Sequence, residues 1–351
     1  MRRSYETSRI RLRFNAFSRV LRSAYHDTLF PSIDGRQRRV VHHLPGSEGG
    51  ADSYEIHEYR GRLKICPGSG LVFDDNVLLK NSTDLYMRER VPRYRTVYDG
   101  EGRHFPDLIS LRHGSEPNYW HYFQLVATKA VIADLHGLAE RIPLLLSRRQ
   151  AEVPFIKRSL ELNLYRDRPV VIQEEDEVIA TDRLYTIRPP LHGRTYRDRV
   201  LDRLGHASDP ASSDRLFVTR GKSAENDRRL QNEDAVTDAL AAFGFRTIDP
   251  QTLSLDKQIE TFSKCGFMVS PHGAGLTNMI FRRGAPLDVV EIFNFNLVNP
   301  CYEIVASDYG FGYRALYCEN VVGKPKSGNA LVEIHALTDA VEAMLARSGG
   351  G

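Results

Sequence analysis

The sequence predicts an α/β fold with a parallel sheet in its C-terminal half, and three observations carry that prediction. First, the apolar run Phe267-Met268-Val269-Ser270 meets the turn Pro271-His272-Gly273-Ala274-Gly275. A helix is then expected from about Leu276, and after the breaker Arg283-Gly284-Ala285-Pro286 a second strand, Asp288-Val289-Val290-Glu291-Ile292. Second, residues 215–293 as a whole alternate strand and helix, the order of a parallel sheet. Third, 351 residues with 41% hydrophobic and 26% charged content suffice for two domains with full cores.

The chain opens with Arg2, Arg3, Arg9, Arg11, Arg13, Arg19 and Arg22. Ile10, Phe14, Phe17, Leu21 and Ala24 recur at spacings of four and three, the pattern of a basic amphipathic helix. Two readings stand for residues 9–25: a helix lying on an anionic membrane surface, or one packed on its own domain with its arginines in water. Residues 30–70 read as irregular with short strands, and His42-His43 as a loop pair. Val77-Leu78-Leu79 and Leu108-Ile109-Ser110 are short strands.

The run His113-Gly114-Ser115-Glu116-Pro117-Asn118-Tyr119-Trp120-His121 leads from a loop into an apolar helix reaching Leu138, with Asn118 suited to cap it. His121 then sits on the first turn, either as a satisfied histidine in an aromatic core or as a group facing a cleft. Further strands are expected around Leu144-Leu145-Leu146 and Val170-Val171-Ile172, with a helix from Phe155 to Leu164 between them. Glu174-Glu175-Asp176-Glu177 reads as a solvated turn, and Leu184 to Arg188 as a strand stopped by Pro189-Pro190. A boundary there divides the chain into residues 1–190, 191–330 and a final helix within 331–351.

In the second part, Leu216-Phe217-Val218-Thr219 forms a strand ending in Arg220, and the loop Gly221 to Arg229 adds Lys222, Arg228 and Arg229. Asn232, Glu233 and Asp234 open a helix, Asn232 as its cap and the two acids favourable to its dipole. Leu255, Ile259 and Phe262 mark one more helix before the strand at Phe267. In open parallel sheets ligands bind outside the carboxyl ends of the strands. Bases past one strand, and a Gly-rich turn feeding a helix N-terminus past another, make a diphosphate site, with Glu291 accepting from ribose hydroxyls. The competing reading is an ordinary strand–helix turn beside solvated arginines.

Several classes are excluded. A net charge of +3 is too small to argue for nucleic acid. Cys66, Cys265, Cys301 and Cys318 are scattered without a CxxC pair, which argues against zinc and disulfides. No apolar run is long enough to span a bilayer and the start lacks the h-region of a signal peptide, so a cytoplasmic protein is expected by default.

Three segments together resemble glycosyltransferase family 61: Leu216 to Arg220, Arg228-Arg229-Leu230-Gln231-Asn232-Glu233, and Ser270-Pro271-His272-Gly273-Ala274-Gly275-Leu276-Thr277-Asn278 running on to Val290-Glu291. Asn118-Tyr119-Trp120-His121 is similar to the family's Asn-Tyr-aromatic-His segment. The family includes bacterial capsular-polysaccharide transferases, plant xylan arabinosyl- and xylosyltransferases and animal O-linked GlcNAc transferases. The resemblance implies a GT-B architecture, two Rossmann-like domains facing across a cleft, with the final helix packing back on the N-terminal domain. It implies an inverting hexosyl- or pentosyltransferase taking a sugar, most often from UDP, without a cofactor or the Asp-x-Asp metal motif, which this chain lacks.

On that reading Arg220, Lys222, Arg228, Arg229, Asn232, Glu233, His272, Gly273, Ala274, Gly275, Leu276, Asn278 and Glu291 form the nucleotide-sugar site. His121 is the first candidate for the catalytic base and Glu116 the second; where many members carry a carboxylate four residues after the histidine, this chain has Leu125. The setting implied is bacterial surface polysaccharide synthesis, with the enzyme cytoplasmic or peripheral at the inner membrane. A different group transferase of polysaccharide assembly, such as a pyruvyl transferase, and a non-catalytic nucleotide-binding module are the alternatives.

Overall fold

A computed structural model of the chain describes residues 54–68, 70–74, 77–79, 102–221, 229–294, 298–318, 321–322 and 329–348. The basic segment 9–25, His42-His43, Lys222 and Arg228 lie outside the described residues.

The N-terminal sheet has seven strands in the order β3-β2-β1-β7-β4-β5-β6. They are β1 (Glu55–Ile65), β2 (Val72–Asp74), β3 (Val77–Leu78), β4 (His104–Ser110), β5 (Leu144–Ser147), β6 (Val170–Gln173) and β7 (Ile179–Arg188). Strands β7, β4, β5 and β6 run parallel, while β1 pairs antiparallel with β7 and with β2. The expectation of an irregular stretch over 30–70 therefore gives way at 55–65 to a full strand. It alternates charged and apolar side chains around a bulge between Arg60 and Leu63, where Gly61 takes φ +153°.

Helix α1 starts at Tyr119–His121, continues through a π-helical turn at Tyr122–Val126 and ends with Ala127–Leu135. Asn118 caps it as expected, accepting from the backbone N–H of His121 at 3.2 Å. Helix α2 (Arg148–Ala151) begins with a reciprocal capping box between Ser147 and Gln150, and α3 (Pro154–Glu161) with a proline at its first position. The acidic turn after β6 is more than solvated: Glu174 pairs with Arg148, and Glu177 with Arg103. Beyond Pro189-Pro190, α4 (Arg194–Arg203) packs on α1.

The C-terminal sheet is parallel throughout, in the order β12-β11-β10-β8-β9. Its strands are β8 (Asp214–Val218), β9 (Arg246–Ile248), β10 (Cys265–Pro271), β11 (Asp288–Asn294) and β12 (Gly312–Cys318). The chain leaves β8 for one edge and then reverses, so β8 and β10 flank a topological switch point. Helix α5 (Glu233–Ala241) covers one face. On the other face lie α6 (Leu255–Ser263), a 3-10 helix at Ala274–Arg282 where a helix was expected from about Leu276, and α7 (Cys301–Tyr309).

The helices between the two sheets share one core, in which Phe123 of α1 meets Phe281 edge-on at 5.9 Å and Trp120 meets Tyr302 at 4.8 Å. Polar ties reinforce it: Arg197 reaches Asp308, Tyr309 donates to Asp198 at 2.8 Å, and Arg158 pairs with Asp256 at 2.8 Å.

The last helix, α8 (Ile334–Ser348), corrects an expectation. Leu337, Ala340, Val341 and Met344 pack with Val236 and Leu240 of α5 against Phe217, Val269 and Ile292 of the C-terminal sheet. Burying that apolar stripe on its own sheet leaves it no such face for the N-terminal half. Asn232 holds the junction: its side-chain amide donates to the Val332 carbonyl at 2.9 Å, and its side-chain oxygen accepts from the Val332 N–H at 3.0 Å. It makes no side-chain capping bond to α5, because both ends of its amide are engaged by main chain.

Candidate functional site

The carboxyl edge of the C-terminal sheet gathers most of the expected residues. Strand β8 runs out at Val218, and Thr219 and Arg220 carry the chain past the sheet edge. Gly221 turns it at φ +54°, in a place where a β-carbon would lie 2.3 Å from Asp249 Oδ2. From there Arg220 Nη1 donates to the His272 carbonyl at 2.9 Å, which lays its guanidinium across the turn after β10. A β-carbon on Gly273 would sit 2.0 Å from that nitrogen, and one on Gly275 would sit 2.9 Å from Val218 Cγ1. The glycines are there for close approach: Gly273 has φ 169°, extended backbone open to any residue. Ala274 then starts the 3-10 helix, whose leading N–H groups have no intrahelical acceptor. A guanidinium, a glycine turn and a helix start thus converge at the switch point, and oxyanions are what such an arrangement attracts.

His272 is fixed by strand register. Ser270 of β10 pairs with Glu291 of β11, which pairs with Ala315 of β12. His272 lies two residues after Ser270 and Tyr313 two before Ala315, so all four side chains share the face turned toward the N-terminal half. His272 Nδ1 lies 2.5 Å from Glu291 Oε1, and the Tyr313 hydroxyl donates to Glu291 Oε2 at 2.5 Å. Glu291 is fully buried, and burial raises its pKa against the opposing pull of its bonds to His272 and Tyr313. Its expected role as acceptor from ribose hydroxyls is corrected: both oxygens are taken and neither reaches solvent. The histidine ring stacks on Phe293 at 5.1 Å, with Tyr302 edge-on at 5.5 Å. With Nδ1 held, Nε2 is the nitrogen left to meet a ligand, and side-chain exposure of 11% gives it a way out.

The other expected residues divide. Asn278 is buried and bridges the halves, accepting from the Tyr119 hydroxyl at 2.9 Å and donating to the Gly275 carbonyl at 3.1 Å. Leu276 and Ala274 belong to the 3-10 helix, Leu276 inside the core. Arg229 and Asn232 lie instead on the strand-like contact of residues 229–232 with 329–332, where Ala330 N donates to the Arg229 carbonyl at 2.9 Å. Glu233 opens α5 next to that contact.

On the N-terminal side, His121 lies on the first turn of α1, which packs on the 3-10 helix, and its ring centroid is 4.7 Å from that of His113. His113 Nδ1 accepts from the Ser115 N–H at 3.0 Å, so the neutral ring carries its proton on Nε2. Glu116 is buried and saturated: Oε1 accepts from Arg112 Nε at 2.5 Å and from the His113 N–H at 3.3 Å, and Oε2 from Ser147 Oγ at 2.5 Å. It braces the loop that carries His113. The structure adds His113, Tyr119, Tyr302 and Tyr313 to the neighbourhood. His113 and Tyr119 stood within the run the sequence singled out from His113 to His121; Tyr302 and Tyr313 are brought in by non-local packing.

Among the described residues no three His, Cys, Asp or Glu side chains are grouped to hold a metal ion. No helix among them is long and apolar enough to cross a membrane.

Among curated proteins none matches the chain. Among solved structures, one titled the metal soaked Flv1 flavodiiron core from Synechocystis sp. PCC6803 aligns at 13% identity and a TM-score of 0.25. The alignment covers 86% of this chain and 64% of that one, so the chain spans less than two thirds of its length; a likeness this slight bears on neither fold nor activity. The glycosyltransferase 61 family model matches residues 76–287, a stretch holding the Asn118–His121 segment, Arg220 and the His272 turn, and the chain belongs to that family of glycosyltransferases.

Proposed function

We propose that the protein is an inverting, metal-independent glycosyltransferase that moves a sugar from a nucleotide donor, UDP-linked, to a glycan acceptor in bacterial surface polysaccharide synthesis. The observation that carries this reading is the placement of Arg220 over the His272-Gly273 turn at the switch point of a parallel sheet. In this account the two halves form a GT-B arrangement, the C-terminal half taking the donor and the N-terminal half the acceptor. The setting is cytoplasmic, with residues 9–25 resting on the anionic inner membrane.

Transfer with inversion is a single in-line displacement. The acceptor hydroxyl oxygen attacks the anomeric carbon as its proton passes to a base, and the bond from that carbon to the diphosphate breaks. The diphosphate leaves with the electron pair and a growing negative charge. Arg220, the leading N–H groups of the 3-10 helix and the Nε2–H of His272 stabilise that charge, a contribution of about a hundred- to a thousand-fold in rate for one donor. The Glu291–His272 pair, when it holds two protons, presents Nε2–H outward whichever partner carries the inner proton. Lys222 and Arg228, which follow Arg220 in sequence, are assigned to the same diphosphate. His121 serves as base from the first turn of α1, beside His113, while Glu116 positions that loop. Asn278 and Tyr119 hold donor and acceptor sides in register.

The test is a turnover panel of UDP-, GDP- and CMP-sugars and phosphoenolpyruvate with EDTA present, reading released nucleotide and product anomer. Turnover of a UDP-sugar with inversion supports the proposal. Turnover of phosphoenolpyruvate alone, or tight UDP binding without any release, contradicts it in favour of a pyruvyl transferase or a binding module respectively.

A further inference from the structure

A cavity of about 500 Å³, floored in part by Leu135 and Leu162, lies away from the His272 site. Asp134 at the end of α1, Asn163 and Arg166 after α3, and Arg199, Asp202 and Arg203 of α4 line it. The His272 turn abuts the first turn of α1. Along that helix, from Tyr119 to Asp134 at about 1.5 Å per residue, the cavity is roughly 22 Å away.

Its charges do not balance. Both lining carboxylates are already occupied: Asp134 receives Arg168 Nε at 2.5 Å and Arg203 Nη2 at 2.6 Å, and Asp202 receives Arg283 at 2.7 Å. The same Arg168 also donates to the carbonyls of Leu138 and Ala139, in the turn that follows α1, at 2.5 and 2.8 Å. Arg166 and Arg199 remain exposed, and neither guanidinium has a hydrogen-bond or ion-pair partner among the described residues. Burial lowers the pKa of Arg203 despite its pairing with Asp134, and the like charges of Arg166 and Arg168 add to that. The backbone adds a second indication. Asn163, at φ +58°, caps α3 with the N–H of Leu164 on the Ser159 carbonyl at 3.0 Å, but Arg166 holds φ +56°, a left-handed conformation that arginine does not favour; such outliers gather at ligand clamps.

We propose that this cavity is a second saccharide site, which takes an acidic sugar unit of the acceptor glycan through its oxyanion. Arg166 and Arg199 bind the carboxylate or phosphate, and Asn163 and Asp202 face the ring hydroxyls. The volume admits a sugar ring with room to spare, and forked guanidinium groups recognise either oxyanion. The site would hold the glycan at a distance from the reacting hydroxyl and select charged acceptors over neutral ones. The inference rests on the glycosyltransferase reading for the identity of the glycan, but its binding test does not.

The test is calorimetric titration of the full chain with glucuronate, glucose 6-phosphate, inorganic phosphate and glucose, with UDP titrated separately. Binding of glucuronate or glucose 6-phosphate, with glucose inert, is expected. Arg199→Gln and Arg166→Gly should each weaken it at least tenfold while UDP binding stays unchanged. Arg166→Gly should also raise the melting temperature, since glycine accepts φ +56° freely, so lost binding with gained stability separates a ligand role from a structural one. Absence of binding by either acidic sugar, or binding that both variants retain, overturns the proposal. Inorganic phosphate binding as tightly as the acidic sugars overturns the saccharide assignment. Failure of the donor reading shows independently, as absence of UDP binding to the unmodified protein.

Discussion

His272 Nδ1 sits 2.5 Å from Oε1 of Glu291, a carboxylate with no solvent exposure whose other oxygen is held by Tyr313. A buried acid oriented from behind fixes a histidine's ring plane and the nitrogen it presents. Glu291→Gln should therefore lower kcat by about a hundredfold or more, with KM changed far less, as expected when a group acts on transition-state charge. Steady-state kinetics with a UDP-sugar checks this; a change confined to KM would contradict it.

Gly273→Ala should produce the same loss as Arg220→Ala. The added methyl would fall 2.0 Å from Arg220 Nη1, and the flexible guanidinium must swing off the turn while the extended backbone is unstrained. Rates should fall about a hundred- to a thousand-fold in both variants, with the melting temperature nearly unchanged. A Gly273→Ala protein of full activity would show that Arg220 does not work from this position.

Glu116 and His121 should separate cleanly. Glu116→Ala strands Arg112, whose side chain is only 3% exposed, and breaking a buried pair costs about 3–5 kcal/mol. His121→Ala should leave denaturant stability nearly intact while abolishing most transfer. Chemical denaturation beside activity distinguishes them. A stable but inactive Glu116→Ala, with an active His121→Ala, would exchange their roles.

Two buried groups give opposite pH dependences. Burial raises Glu291 above its ordinary 4.5, so its contribution is full below that value and is lost as pH rises through the raised one. Burial lowers His206 below 6.5, where the ring meets the Phe281 carbonyl at 2.7 Å; its contribution is full above 6.5 and is lost as pH falls. In unfolding experiments from pH 4.5 to 8, the advantage of the unmodified protein over Glu291→Gln should shrink with rising pH. Its advantage over His206→Gln should shrink with falling pH. Parallel profiles would contradict both assignments.

How much of this was legible in the sequence depends on the range of the interactions. Strand β10, its turn and β11 are local and strongly patterned, and they stand as read. So does the Asn118 cap, which needs only three residues of context. Strand β1 was missed because its charged, bulged sequence is stabilised by pairing with β7, more than a hundred residues away. Asn232 and Glu291 were placed in the site by motif but given the wrong partners. Asn232 is claimed by Val332, and Glu291 by a register that brings His272 and Tyr313 to one face, and neither contact leaves a local trace. The position of α8 likewise depends on which of two sheets has an uncovered face.

The most direct measurement is UDP binding by calorimetry and thermal shift, with EDTA present, to the unmodified protein and to Arg220→Ala and His272→Ala. At a hundred times its dissociation constant UDP should add about 2.7 kcal/mol of stability, and both variants should lose most of that gain. If UDP does not stabilise the protein, or stabilises all three equally, the turn after β10 is not the diphosphate site.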